Sequence, residues 1–116
     1  MKTKIIVTTG LNIPGAQITQ VLGITQGLVV RAMNFGDRIS GIVSALGGGT
    51  VNQFEKLCTE SRNHAYERMI KDAESLGADA IIGMRYSTVE IGRFVSEVLA
   101  YGTAVKIEFP KVLPVK

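Results

Sequence analysis

VNQFEKLCTESRNHAYERMIKDAESL, from Val51 to Leu76, followed at once by GADAIIG, from Gly77 to Gly83, is the stretch whose reading decides the fold. At 100° per residue, Phe54, Cys58, Ser61, Ala65, Met69, Ala73 and Leu76 fall within about a third of the helix circumference, the stripe of a core-facing amphipathic helix. Two start signals overlap, Thr50 with Gln53 and Asn52 with Glu55, and either spacing suits a reciprocal capping box. Gly77 supplies the stop, because glycine enters the left-handed region without a Cβ penalty. Roughly 26 residues at 1.5 Å each give about 39 Å, longer than the ~35 Å diameter of a compact chain of this size. The helix ends therefore project or are covered by neighbouring copies. Ala78 to Gly83 then carries the chain straight into a buried strand.

Upstream, the β-branched run Ile5 to Thr9 predicts a strand, ended by a turn at Gly10, Asn12, Pro14 and Gly15. Gln17 to Phe35 predicts a long strand, with bulges or bends at Gly23 and Gly27. Asp37 caps a short helix through Leu46, and Gly47-Gly48-Gly49 is a hinge to the long helix. No GxGxxG and no Gly-Lys-Ser/Thr accompanies those glycines, so they do not make a phosphate loop.

Downstream, Ala80 to Ile91 alternates as a strand, with Ile82, Met84 and Tyr86 on one face and Ile81, Arg85 and Val89 on the other. A second long strand, Phe94 to Phe109, has one small face, Ser96, Val98, Ala100, Gly102 and Ala104. Small residues let a helix approach closely, so this face belongs under the long helix. The opposite face, Val95, Glu97, Leu99, Tyr101, Thr103, Val105 and Ile107, is left uncovered by a two-layer subunit. A large exposed apolar patch marks an interaction surface, and self-association is the expectation. The tail from Pro110 to Lys116 reads as an irregular arm.

At 116 residues, with 46% hydrophobic and 20% charged, the chain reads as one domain, 1–116, able to bury a core. The net charge of +3 is scattered, without the basic run and interleaved aromatics of a nucleic-acid binder. A single cysteine excludes an internal disulfide framework and suits a reducing cytoplasm. The N-terminal apolar run is too short for a signal peptide, and none reaches the ~20 residues of a membrane span.

Cys58 and His64 are the sole thiol and imidazole, the ligand types favoured by zinc and copper. Six residues apart on a helix they diverge by about 120° and share no face; Cys58 reads as core packing. His64 stands between Glu60 and Glu67, a carboxylate-histidine group able to take a divalent or heavy metal on an oligomer surface, although a solvated or salt-bridged face is the simpler reading. Arg62, at the edge of the core stripe, and Glu97, on the apolar strand face, each need a partner, because an unpaired buried charge is strongly destabilising. Their mutual pairing, within a subunit or across an interface, is the hypothesis that follows. No nucleophile is accompanied by the base, orienter and oxyanion donors of catalysis, so an enzyme is not expected.

Val7-Thr8-Thr9, Pro14-Gly15, Gly47-Gly48, Ser61-Arg62-Asn63 with Ala65, the run Leu76 to Gly83, and Glu97 to Val105 together resemble the YbjQ family of small bacterial and archaeal proteins. The resemblance runs through nearly the whole chain in order. It implies an α+β, dodecin-like, two-layer subunit, an antiparallel sheet backed by one long helix, assembling as a ring of five copies and in some arrangements as stacked rings of ten. It also brings a heavy-metal-binding label whose matching motifs hold glycine, alanine and aliphatic residues. Arg62, Glu97 and Tyr101 lie within those motifs and are the candidates for an assembly or ligand role. The sequence thus points to a cytoplasmic homo-oligomer with a structural or small-ligand-binding role, and alternatively to a metal-binding or metal-responsive protein with sites formed between subunits.

Overall fold

A computed structural model of the chain describes residues 4–32, 50–92 and 95–111. The elements in order are β1 (Ile6–Val7), β2 (Gln17–Ala32), α1 (Thr50–Ser75), β3 (Ala80–Gly92) and β4 (Val95–Glu108). The four strands form one sheet in the order β1-β3-β4-β2, with α1 packed on one face. The fold is α+β. The expected short helix from Asp37 and the glycine hinge lie outside the described residues, as does the tail beyond Lys111.

β2 and β3 flank β4 and each pairs with it antiparallel. The expectation of a wholly antiparallel sheet is corrected at β1, which runs parallel to β3 and makes the sheet mixed. β1 lies along the outer edge of β3, where Ile6 N–H donates to the Asp79 carbonyl and Thr8 N–H to that of Ile81, and a bulge in β3 extends the contact. Between the pairs Ile82 with Thr103 and Arg85 with Tyr101, β3 carries Gly83 and Met84 against the single Gly102, and Gly83 is left-handed at φ 61°, the arrangement of a glycine-led bulge. The two displaced amides turn to the N-terminal segment: Gly83 N–H donates to the Gly10 carbonyl at 2.8 Å and Met84 N–H to that of Thr8 at 3.0 Å. The bulge also breaks the expected alternation, so Ile81 is buried in the same core as Met84 rather than opposite it.

The long helix ends as its sequence dictates. Gly77, at φ 79°, donates to the Glu74 carbonyl and Ala78 donates to that of Ala73, both at 3.0 Å, the paired bonds of a Schellman cap. Asp79 then ties helix to sheet. Its N–H donates to the Val105 carbonyl at 2.9 Å, its carbonyl accepts from Ile6 N–H at 3.3 Å, and its carboxylate accepts from Ile107 N–H at 3.1 Å.

The core lies between α1 and the small face of β4, as the pattern predicts: Ala65, Met69 and Ala73 pack with Val98, Ala100 and Ala104, joined by Val29, Ile81 and Met84. Two glycines permit close approaches, Gly27 that of the helix and Gly102 that of the β3 bulge. A Cβ on Gly27 would lie 2.1 Å from the Ala65 carbonyl oxygen and 2.4 Å from Met69 N, and one on Gly102 would lie 2.6 Å from Ile81 Cγ2. Gly27 thus marks the closest approach of helix to strand and no bend, whereas the bulge expected at Gly23 is present, with φ 124° and a register shift after Val21.

Candidate functional site

Three stripes of α1 define what surrounds the core. Ser61, Ala65, Met69 and Ala73 are buried against the sheet. Toward the free edge of β2 run His64, Arg68 and Asp72. Asp72 accepts from Thr25 Oγ1 at 3.0 Å and from Gln26 N–H at 3.1 Å, Arg68 donates to the Leu28 carbonyl, and Arg31 Nη2 donates to His64 Nδ1 at 3.1 Å. Side chains of the helix therefore occupy backbone groups that an edge strand leaves unpaired. Toward β3 run Arg62 and Tyr66. The Arg62 guanidinium lies 5.6 Å from the centre of the Tyr86 ring, a cation–π distance. Burial, then the neighbouring Tyr66, raises the Tyr86 phenol above its ordinary value, and Arg62 opposes them.

The sheet face away from α1 is a second region. Strand register sets four rungs across it: Ile24-Thr103-Ile82, Gln26-Tyr101-Arg85, Leu28-Leu99-Ser87 and Val30-Glu97-Val89. Ile24 is 74% exposed, Val30 52% and Val89 50%. Val105, expected on this open face, is instead fully buried, whereas its β2 neighbour Val21 is exposed. Arg85 donates to the carbonyls of Thr9 and Met84, each at 2.8 Å.

These positions answer the sequence expectations one by one. Cys58 is exposed, not core. The helix already reaches Arg31, next to last in β2, at His64, so the turns before Ser61 pass beyond the described strand that would cover them. Glu60, His64 and Glu67 are all exposed. Arginine only donates, so Nδ1 of His64 accepts and its proton sits on Nε2; binding a metal through either nitrogen requires releasing Arg31. Among the described residues of one chain, no three His, Cys, Asp or Glu side chains are grouped to hold a metal. Arg62 and Glu97 stand on opposite sides of the sheet and do not meet within a subunit. Tyr101 is on the open face beside Gln26 and Arg85. Sequence reasoning missed Arg31, Asp72, Tyr66 and Tyr86. The four-residue steps Arg62 to Tyr66 and His64 to Arg68 to Asp72 were the available signal.

The family description "Putative heavy-metal-binding" belongs to a model that matches residues 5–108. The chain belongs to the YbjQ family. YbjQ-family relatives bear the name UPF0145 protein: one from Thermotoga petrophila is 47% identical over 103 residues, covering 89% of this chain and 97% of its own. One from Burkholderia multivorans is 41% identical over 101 residues, covering 87% and 83%. A crystal structure of a protein of unknown function in the DUF74 family, from Pediococcus pentosaceus, aligns with a TM-score of 0.57 over 90% of this chain and 98% of that one. Its 23% identity supports the fold alone. In this YbjQ chain the run Leu76 to Gly83 caps the helix and anchors it to the sheet, and Ala100 and Ala104 floor the helix. None of the described helices is long and apolar enough to cross a membrane.

Proposed function

We propose that this YbjQ chain, a single domain throughout, is a non-catalytic cytoplasmic subunit of a homo-oligomer, five copies to a ring, with a structural or small-ligand-binding role. The observation that carries this reading is the open sheet face, where Ile24, Leu28 and Val30 stay exposed beside Leu99. Each such side chain contributes about 1.5–3 kcal/mol when fully buried, and a neighbouring copy supplies the cover that one helix cannot. Asp72 and Arg68 occupy two backbone groups of the β2 edge, the Gln26 N–H and the Leu28 carbonyl, which disfavours strand addition at that point. Ring size, and stacking of two rings, are tested together by native electrospray mass of freshly purified, unchelated protein. A metal-free mass of five subunits is the expected result; a single-subunit mass at micromolar concentration overturns the reading.

The family description favours a second reading, in which copies of His64, Glu60 and Glu67 from adjoining subunits combine into a heavy-metal or divalent-metal site. Extra mass in integer metal steps per ring supports it. Undiminished metal loading of His64→Ala removes the histidine from it.

A further inference from the structure

Glu97 and Arg62 each lack a partner of opposite charge on their own side of the molecule, among the described residues. Glu97 is half-buried on the open face, flanked across the sheet by Val30 and Val89, and no cation pairs with it among the described residues. The other described arginines each make side-chain hydrogen bonds: Arg31 to His64 through Nη2, its buried Nε being left without a partner, Arg68 to the Leu28 carbonyl, and Arg85 to the Thr9 and Met84 carbonyls. Among the described residues Arg62 rests only on the Tyr86 ring. That stacking holds its guanidinium at the exposed helix flank while leaving its planar donor fork free, the geometry suited to a carboxylate.

Resting on the self-assembly reading above, we propose that the occupant of the open face is the helix flank of a second copy, with Arg62 and Tyr86 of one subunit seated on the face of the next so that Arg62 takes Glu97. Because the two residues lie on opposite sides of one subunit, the contact joins the front of one copy to the back of another. Such a heterologous contact repeats in one direction and closes as a ring when the rotation allows. Covering Glu97 with apolar surface alone would bury an unpaired charge, so the charge selects this mate over a purely apolar one.

Charge reversal with native mass as the readout, followed over falling subunit concentration, tests the contact. Arg62→Glu and Glu97→Arg should each raise the concentration at half-dissociation by about tenfold or more, since removing one partner leaves the other charge uncompensated. The double variant R62E/E97R should return to within about threefold of wild type. Circular dichroism establishes that each variant is folded, and R62Q and E97Q provide milder versions with the same expected order. Single variants that assemble like wild type, or a double variant no better than the weaker single, overturn the contact while leaving self-assembly standing. A wild-type chain that stays single at every concentration overturns the assembly reading itself.

Discussion

The two faces of this sheet differ in residue size and in what covers them. Under α1 lie Gly27, Ala100 and Ala104, buried with Ala65 and Met69, while Gly102 makes room for the β3 bulge. On the other face Ile24, Leu28, Leu99 and Tyr101 stand clear of any described helix. Size decides which face receives the chain's own helix, because a helix backbone reaches a strand only where the strand offers almost no side chain. Larger residues hold a partner farther off, and their exposure in one subunit is what a second subunit would remove. One face thus makes the fold and the other is available for what the fold does.

The most forceful way to break this distinction is to give the small face a large residue. Gly27→Val places carbon atoms inside the Ala65 carbonyl and the Met69 amide, and the helix must lift along its length. A loss of about 3 kcal/mol or more is expected in urea unfolding, at the high end for overpacking. A midpoint equal to wild type would show that the close approach has slack.

A smaller effect is expected where the helix clasps the β2 edge. Asp72→Ala removes the acceptor of Thr25 Oγ1 and Gln26 N–H; Thr25 keeps its bond to the Met69 carbonyl at 2.9 Å. The expected cost is about 1–2 kcal/mol, with faster amide exchange at Gln26 as the local signature. Unchanged exchange there would mean that the clasp does not protect the edge.

The smallest effect sharpens the comparison at the Arg62 flank. The Tyr86 phenol is held neutral to higher pH than in the unfolded chain, so the native state binds the extra proton. Its contribution to stability is complete below the unfolded value near 10 and declines as pH rises from there through the folded value. Arg62→Ala removes the one influence that lowers this phenol; ultraviolet titration should find it moved further upward. A downward move would place Arg62 elsewhere in solution.

Much of this was legible in the sequence for identifiable reasons. A 3.6-residue period and a glycine stop locate a helix without knowledge of its partners, and Ala100-Gly102-Ala104 announces close packing because small side chains let another backbone approach the strand. The failures share a cause as well. Strict alternation puts Ile81 and Met84 on opposite faces because it assumes an unbroken ladder, and Gly83 breaks it. The parallel pairing of β1 rests on bonds from Ile6 and Thr8 to the carbonyls of Asp79 and Ile81, residues far away in sequence, and the bulge adds two further bonds. Cys58 satisfies the helical stripe yet has no described strand beneath it, a matter of where β2 ends relative to α1. The tautomer of His64 follows from Arg31, more than thirty residues away in sequence, and no local pattern announces that meeting.

Leu99→Asp, at the centre of the open face and between Leu28 and Ser87, tests the account most directly when native mass is read alongside urea unfolding. The expected result is a folded single subunit, with the assembled mass lost and the α1–sheet core intact. A Leu99→Asp variant that still assembles as wild type would contradict the assignment of that face to a neighbouring copy.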